Sequence, residues 1–196
     1  MVWRAKRWFT EESAVPTLVP GVLPSQGRIQ LGTFDLASRR TLSIMGWVKG
    51  ANGYIISNLG SDTSKAGMYL RVHSTSHKLD MWMRDSAGAA ISGVFEPVVF
   101  DADTWHHIAV VFDADNGGWK AWIDGVQSPT VRSSQAFAEK ASDSWDLGYC
   151  AFANQSFNGA IEKMRVYAGA LAEAQIKADY AAGMGTLVQV GAEEVR

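Results

Sequence analysis

Cysteine is nearly absent: Cys150 is the single thiol in a chain of 196 residues. One thiol excludes an internal disulfide and any cysteine-based zinc site. Charge is also sparse, at 19% of residues, and it is balanced, with 18 Lys plus Arg against 20 Asp plus Glu. A net charge of −2 gives no basic excess to attract nucleic acid through its phosphates. No run of about 18 apolar residues occurs, so no helical membrane span is expected. No Gly-x-Ser-x-Gly elbow, phosphate-binding loop or dinucleotide glycine pattern is present. No repeat period is visible. Proline is scarce but clustered: Pro16, Pro20 and Pro24 interrupt the stretch that follows Lys6 and Arg7. That density excludes the helical core of a secretory leader and reads as an extended arm. The expectation is a chain that stays in the cytoplasm, leaves inside an assembled particle or by lysis, or has lost a leader.

What is present is apolar and aromatic. Hydrophobic residues make up 47%, with 8 Trp and 19 Gly. Disordered chains are poor in hydrophobes, so that class is excluded. The length fits one domain that buries roughly 70% of its unfolded surface. Aromatic segments punctuated by glycine point to β structure.

After Gln26 the strands can be placed. Thr41–Val48 alternates, with Leu42, Ile44 and Val48 on one face and Thr41, Ser43, Met45 and Trp47 on the other. Tyr54–Leu59 reads as a second short run. A hairpin joins Met68–His73 to Lys78–Arg84. Pairing Val72 with Leu79, Leu70 with Met81 and Met68 with Met83 makes one face wholly apolar. The other face then sets Arg71 against Asp80 and Tyr69 against Trp82, and each pair favours this register by roughly 0.2–1 kcal/mol. A second hairpin joins Trp105–Phe112 to Trp119–Asp124, with Phe112 opposite Trp119, Val110 opposite Ala121 and Ile108 opposite Ile123. Both of its faces are mostly apolar, as expected of central strands. Asn116-Gly117 and Asp124-Gly125 are turn signals. Trp145–Cys150 and Phe157–Tyr167 follow as strands, and Leu171–Ala182 as one helix closed by Gly183. The expectation is all-β: a two-sheet antiparallel jelly-roll sandwich with one short C-terminal helix. The organisation reads as an arm over 1–26, the jelly roll over 27–183 and a tail over 184–196.

Three segments carry a family resemblance. They are TLSIMGWVKG at 41–50, TWHHIAVVFDADNGGWKAWIDGV at 104–126, and FNGAIEKMRVYAGALAEAQIKADYAAG at 157–183. A Trp-His opens a core strand, an aromatic strand ends in Asp-Gly, and Phe-x-Gly-x-Ile-acid precedes Arg-x-Tyr. In this order they resemble the laminin-G-like, concanavalin-A-like lectin jelly rolls, over about residues 27–183. The resemblance implies two curved antiparallel sheets packed face to face. It leaves function open, since this fold hosts lectins, glycosidases and spacers.

Chemistry is then tested against the residues. Glycoside hydrolysis needs two carboxyls flanking the sugar bond. Glucanase relatives supply them as Glu-x-Asp-x-x-Glu, and no such string occurs here. No catalytic residue is therefore assigned. His106 and His107 are adjacent in a strand and point to opposite faces, so they cannot share a metal. His107 is expected to face Asp124 across the hairpin. The stretch from Asp113 to Gly118 has the look of a calcium loop but lacks a ligand at its fifth position, and it reads as a turn. Relatives often carry one structural calcium at the sandwich rim. The resemblance puts Glu162 at the family's acidic position, with Asp35 as a second oxygen donor; no other cofactor is expected. Cys150 reads as an inert core thiol. Asn154-Gln155-Ser156 matches a glycosylation triplet, which carries no weight without a secretory leader.

Ligand recognition falls to the polar face of the first hairpin. Tyr69, Arg71, Asp80, Trp82 and Arg84 share it; rings can cover the apolar faces of a sugar while charges meet its hydroxyls. The competing reading is a solvated face of ordinary cross-strand pairs. The expected function is non-enzymatic: a lectin-like module displayed on a larger assembly such as a phage capsid or tail, made in the host cytoplasm. The arm residues Trp3, Trp8 and Phe9 would anchor it, with weak adhesion to glycans. The alternatives are a free, extracellular carbohydrate-binding lectin module and a protein–protein interaction module using loops 61–66 and 128–144.

Overall fold

A computed structural model describes residues 27–32, 40–60, 67–84, 89–129 and 144–183, with the backbone of Trp3–Arg4. In chain order the strands are β1 (Trp3–Arg4), β2 (Ile29–Gly32), β3 (Thr41–Ser57), β4 (Met68–Val72), β5 (Leu79–Arg84), β6 (Ala90–Phe95), β7 (His106–Asp113), β8 (Gly118–Ile123), β9 (Val126–Gln127), β10 (Trp145–Leu147), β11 (Tyr149–Cys150), β12 (Gln155–Ser156) and β13 (Asn158–Tyr167). The helix α1 spans Glu173–Ala182.

Two layers face one another, as expected of a jelly-roll sandwich. One runs β1-β2-β10-β3-β4-β5-β6, and the other β13-β3-β7-β8-β9. All pairings between these strands are antiparallel except β1 with β2, which is parallel. The strand common to both layers is β3. Its residues Thr41–Val48 pair with β7, and its end, Gly53–Ser57, pairs with β4. The sequence reads as two runs, Thr41–Val48 and Tyr54–Leu59, on either side of Gly50 and Asn52-Gly53. Here they bend one strand from one sheet into the other. Gly53 has φ +105, and a Cβ there would lie 2.3 Å from the Ser156 carbonyl oxygen. At Gly159, on β13, a Cβ would lie 2.0 Å from the Lys49 carbonyl oxygen. These close approaches explain the glycine in Phe-x-Gly-x-Ile.

Both hairpin registers match the sequence reading pair for pair. The alternation that specified them is seen in the burial. Met68, Leu70, Val72, Leu79, Met81 and Met83 are fully buried in the main core between the sheets. They meet Ile108, Val110, Phe112 and Trp119 from the opposite layer. The second face of β7 and β8 is covered by α1: Met45, Ala109, Val111, Trp122, Tyr167 and Ile176 form a separate cluster. That cover is why both faces of this hairpin are apolar. Asp124 and Gly125 turn β8 into β9 with φ of 53° and 74°, the positive pair of a two-residue hairpin turn.

Several boundaries differ from the sequence reading. Trp145–Cys150 is divided into β10 and β11 at Gly148, whose φ is +76. β13 starts at Asn158, and α1 starts at Glu173, two residues after Leu171. Strand β6 went unseen, because an edge strand containing Ser92 and Gly93 shows little alternation. The Asp113 segment is a turn, as read: its carboxylate accepts from the amides of Asp115 and Asn116, each at 3.1 Å, and from Asn116 Nδ2 at 2.9 Å.

Candidate functional site

The outward face of β3, β4, β5 and β6 carries the aromatic and charged residues. Register sets Tyr54, Arg71, Asp80 and Val94 in one cross-strand row. The neighbouring row is Asp146, Ser57, Tyr69, Trp82 and Ser92. A register shift between Tyr54 and Ile56 brings Ser57 to the same face as Tyr54.

Arg71 is fixed from several sides. Its Nε donates to Asp80 Oδ2 at 2.8 Å, and its Nη1 donates to the Tyr54 hydroxyl at 3.2 Å. Its guanidinium lies 5.0 Å from the Tyr69 ring centroid and 5.5 Å from that of Tyr54. Tyr54 and Tyr69 meet edge to face at 5.1 Å. Tyr69 and Trp82 stack at 6.1 Å with 13° between planes. Arg84 lies 5.6 Å over the Trp82 ring. All five residues expected on this face are therefore brought together. Asp80 is 6% exposed, while Tyr69, Arg71, Trp82 and Arg84 are half-buried. The face carries both cross-strand pairs, Arg71 with Asp80 and Tyr69 with Trp82. Its inner edge is a small apolar cluster of Tyr54, Leu59 and Cys150, against which Tyr69, Trp82 and Ala153 pack. Cys150 is buried as expected, but in this outer cluster and not between the sheets.

The electrostatics follow from this packing. Burial pushes the Tyr69 phenol up to about 12 against the pull of Arg71. Burial raises Tyr54 as well. Burial disfavours the Arg71 cation, but its hydrogen bond to Asp80 and the neighbouring groups outweigh it and hold the pKa above its ordinary value. Asp146 is raised by burial although Arg28 grips both of its oxygens, at 2.9 and 3.0 Å. Each of these two carboxylates is thus held by an arginine. A rigid, half-exposed aromatic pair with polar flanks can stack on a ring and bond its substituents.

Tyr54 and Ser57 were missed as members of this face. Alternation alone could not place them, because the register shift breaks it. The histidine expectation needs correction. His106, and not the His107 side chain, takes Asp124, with Nδ1 2.7 Å from Oδ2. His107 gives Asp124 its backbone amide at 2.9 Å. Its ring turns the other way, to Asp179 at 3.1 Å and to the Trp47 ring at 5.3 Å. The positive φ of Asp124 swings its carboxylate back under His106.

Glu162 is half-buried on β13 opposite Trp47. Among the described residues no three His, Cys, Asp or Glu side chains gather as a metal site. Asp35, Trp8, Phe9, loop 61–66 and most of 128–144 lie outside the described residues. The backbone of Trp3 pairs with Ile29.

Comparison with known proteins accords with the architecture. The family model of the concanavalin A-like lectin/glucanases superfamily matches residues 23–177. No curated protein matches the sequence. Among solved structures, the CBM40 module of Ruminococcus gnavus IT-sialidase bound to alpha2,3 sialyllactose is similar, with TM-score 0.60 and 17% identity over 82% of this chain and 100% of that one. Mouse laminin alpha1 domains LG4-5 give TM-score 0.59 and 16% identity over 82% and 45%. The heptameric SAP-like pentraxin of Limulus polyphemus gives 0.54 and 17% over 86% and 76%. At these identities the likeness is one of fold.

Proposed function

We propose that this chain, which belongs to the concanavalin A-like lectin/glucanases superfamily, is a non-catalytic glycan-binding module. The observation that carries the reading is the Tyr69–Trp82 stack, half-exposed beside the Arg71–Asp80 pair on the outward face of one sheet. The rings present apolar area to the C–H face of a pyranose. Ser92 and Arg84 lie around them to meet its hydroxyls, and the buried Tyr54 braces Arg71 from beneath. Among the described residues, the two carboxylates on this face are engaged by Arg71 and Arg28, which supports binding over hydrolysis. The similar CBM40 module was solved with a sialyllactose bound. A glycan array probed with the full chain tests the reading, followed by calorimetric titration of the best ligand. Trp82→Ala is expected to weaken binding at least tenfold, about 1.4 kcal/mol, with a melting-temperature loss of only a few degrees. An array without a hit, or undiminished binding by Trp82→Ala, overturns it.

Display on a viral particle is a separate proposal. It rests on the aromatic arm with Trp3, Trp8 and Phe9. A chain lacking residues 1–25 would then fold but fail to co-purify with capsid or tail; retained co-purification refutes it.

A further inference from the structure

A concavity lies at the bend of β3. It is a cleft of about 330 Å³ lined by Asn52, Gly53, Ser74, Gln155, Ser156, Phe157 and Asn158. Three carboxamides and two hydroxyls converge there, and none of its lining residues is charged. Its walls are fixed by backbone contacts. Asn158 pairs with Asn52 across β13 and β3, and Gln155 pairs with Cys150 across β12 and β11. The third wall, the loop holding Ser74, is tied down by His77, whose Nδ1 donates to the Ala51 carbonyl at 2.6 Å. That loop is also closed on itself, since His73 Nδ1 accepts from the amides of Thr75 and Ser76 at 3.2 and 3.4 Å. Gly53 lets β3 come close to the Ser156–Phe157 backbone at the floor of the cleft, for a side chain there would run into both. The buried Phe157 forms an apolar part of the lining.

We infer that this cleft is a second binding subsite, specific for a neutral hexopyranose unit. A carboxamide donates and accepts at once, so it matches a hydroxyl group that does the same. The uncharged lining offers no counter-charge to a carboxylate, phosphate or ammonium group. The volume sits at the low end of the roughly 300–1,000 Å³ of small-molecule pockets. Gly53 of the cleft is followed in the chain by Tyr54 of the aromatic face, and Ser74 lies three residues beyond Arg71, about 10 Å along the chain. The cleft and the aromatic face are thus neighbours along the chain. The choice of a sugar as ligand rests on the glycan-binding reading above, whereas the subsite itself is tested apart from it.

The test is an NMR titration of the ¹⁵N-labelled full chain with neutral methyl pyranosides: glucoside, galactoside, mannoside and N-acetylglucosaminide. Saturable shifts are expected at Gly53, Ser74 and Gln155 to Asn158 for at least one of them. The double variant Gln155→Ala/Ser74→Ala, altered at two exposed positions, should weaken those shifts at least tenfold while the rest of the spectrum is unchanged. Absence of saturable shifts there for all four probes overturns the subsite, as does an unaltered response in the variant. Trp82→Ala separates the two proposals. Cleft shifts that survive it uphold the subsite, even if no shift is ever seen at Tyr69. Shifts confined to Tyr69 and Trp82 uphold the aromatic face and reject the subsite.

Discussion

Asp179 shows how one carboxylate ties a helix to a sheet. Burial alone would raise its pKa, but the hydrogen bonds from His107 and Arg165 prevail and hold it at about 2. A folded pKa below the ordinary 3.8 stabilises the protein above that value, and the contribution disappears as pH falls from about 4 through 2. The depression corresponds to about 2 kcal/mol. Asp179→Asn should therefore lower the unfolding free energy at neutral pH by about that much. It should also flatten the dependence of stability on pH between about 4 and 2, measured by urea unfolding at stepped pH. Tyr69 has the opposite sign. Its folded pKa, about 12, lies above the ordinary 10, so its contribution is complete below pH 10 and is lost as pH rises through 12. Ultraviolet titration of tyrosinate should lose its step near pH 12 in Tyr69→Phe. At this scale the sequence was informative where partners sit across a regular ladder, as Arg71 does with Asp80. It was uninformative for His107, whose partner lies 72 positions away on a helix.

At the scale of elements, α1 depends on what it covers. A ten-residue helix is marginal by itself, and Ile176 is its one buried residue. Ile176→Ala should cost about 3 kcal/mol and expose the amides of α1 to rapid hydrogen exchange, while β4 and β5 keep their protection. The crossing of β13 over β3 is more stringent. Gly159→Ala would force a Cβ against the Lys49 carbonyl, and a loss of at least about 3 kcal/mol is expected in thermal or urea unfolding. The two hairpins were legible because charge, ring and apolar pairs agree on a single register. The long β3 was not, because Asn52-Gly53 has the chemistry of a turn and only the approach of β13 shows why glycine stands there. The aromatic face was legible in five residues. The cleft was not, since Asn, Gln and Ser near glycine look like any loop until three separate segments converge.

At the scale of the whole molecule, the arm and the domain meet at β1 and β2, where Trp3–Arg4 pairs with Ile29–Gln30. A two-residue parallel contact contributes little to a sandwich whose described core residues already close it from residue 29 onward. A chain beginning at Gly27 should keep the same circular dichroism and melt within about 5 °C of the full chain, since roughly 1 kcal/mol shifts a domain of this size by 2–4 °C. The 17-residue strand β3 has a mechanical consequence. Because a single strand passes from one layer into the other, tension on either sheet is transmitted into both ladders. The two layers are therefore expected to yield together under a pull along β3, read as a single rupture event in single-molecule force spectroscopy.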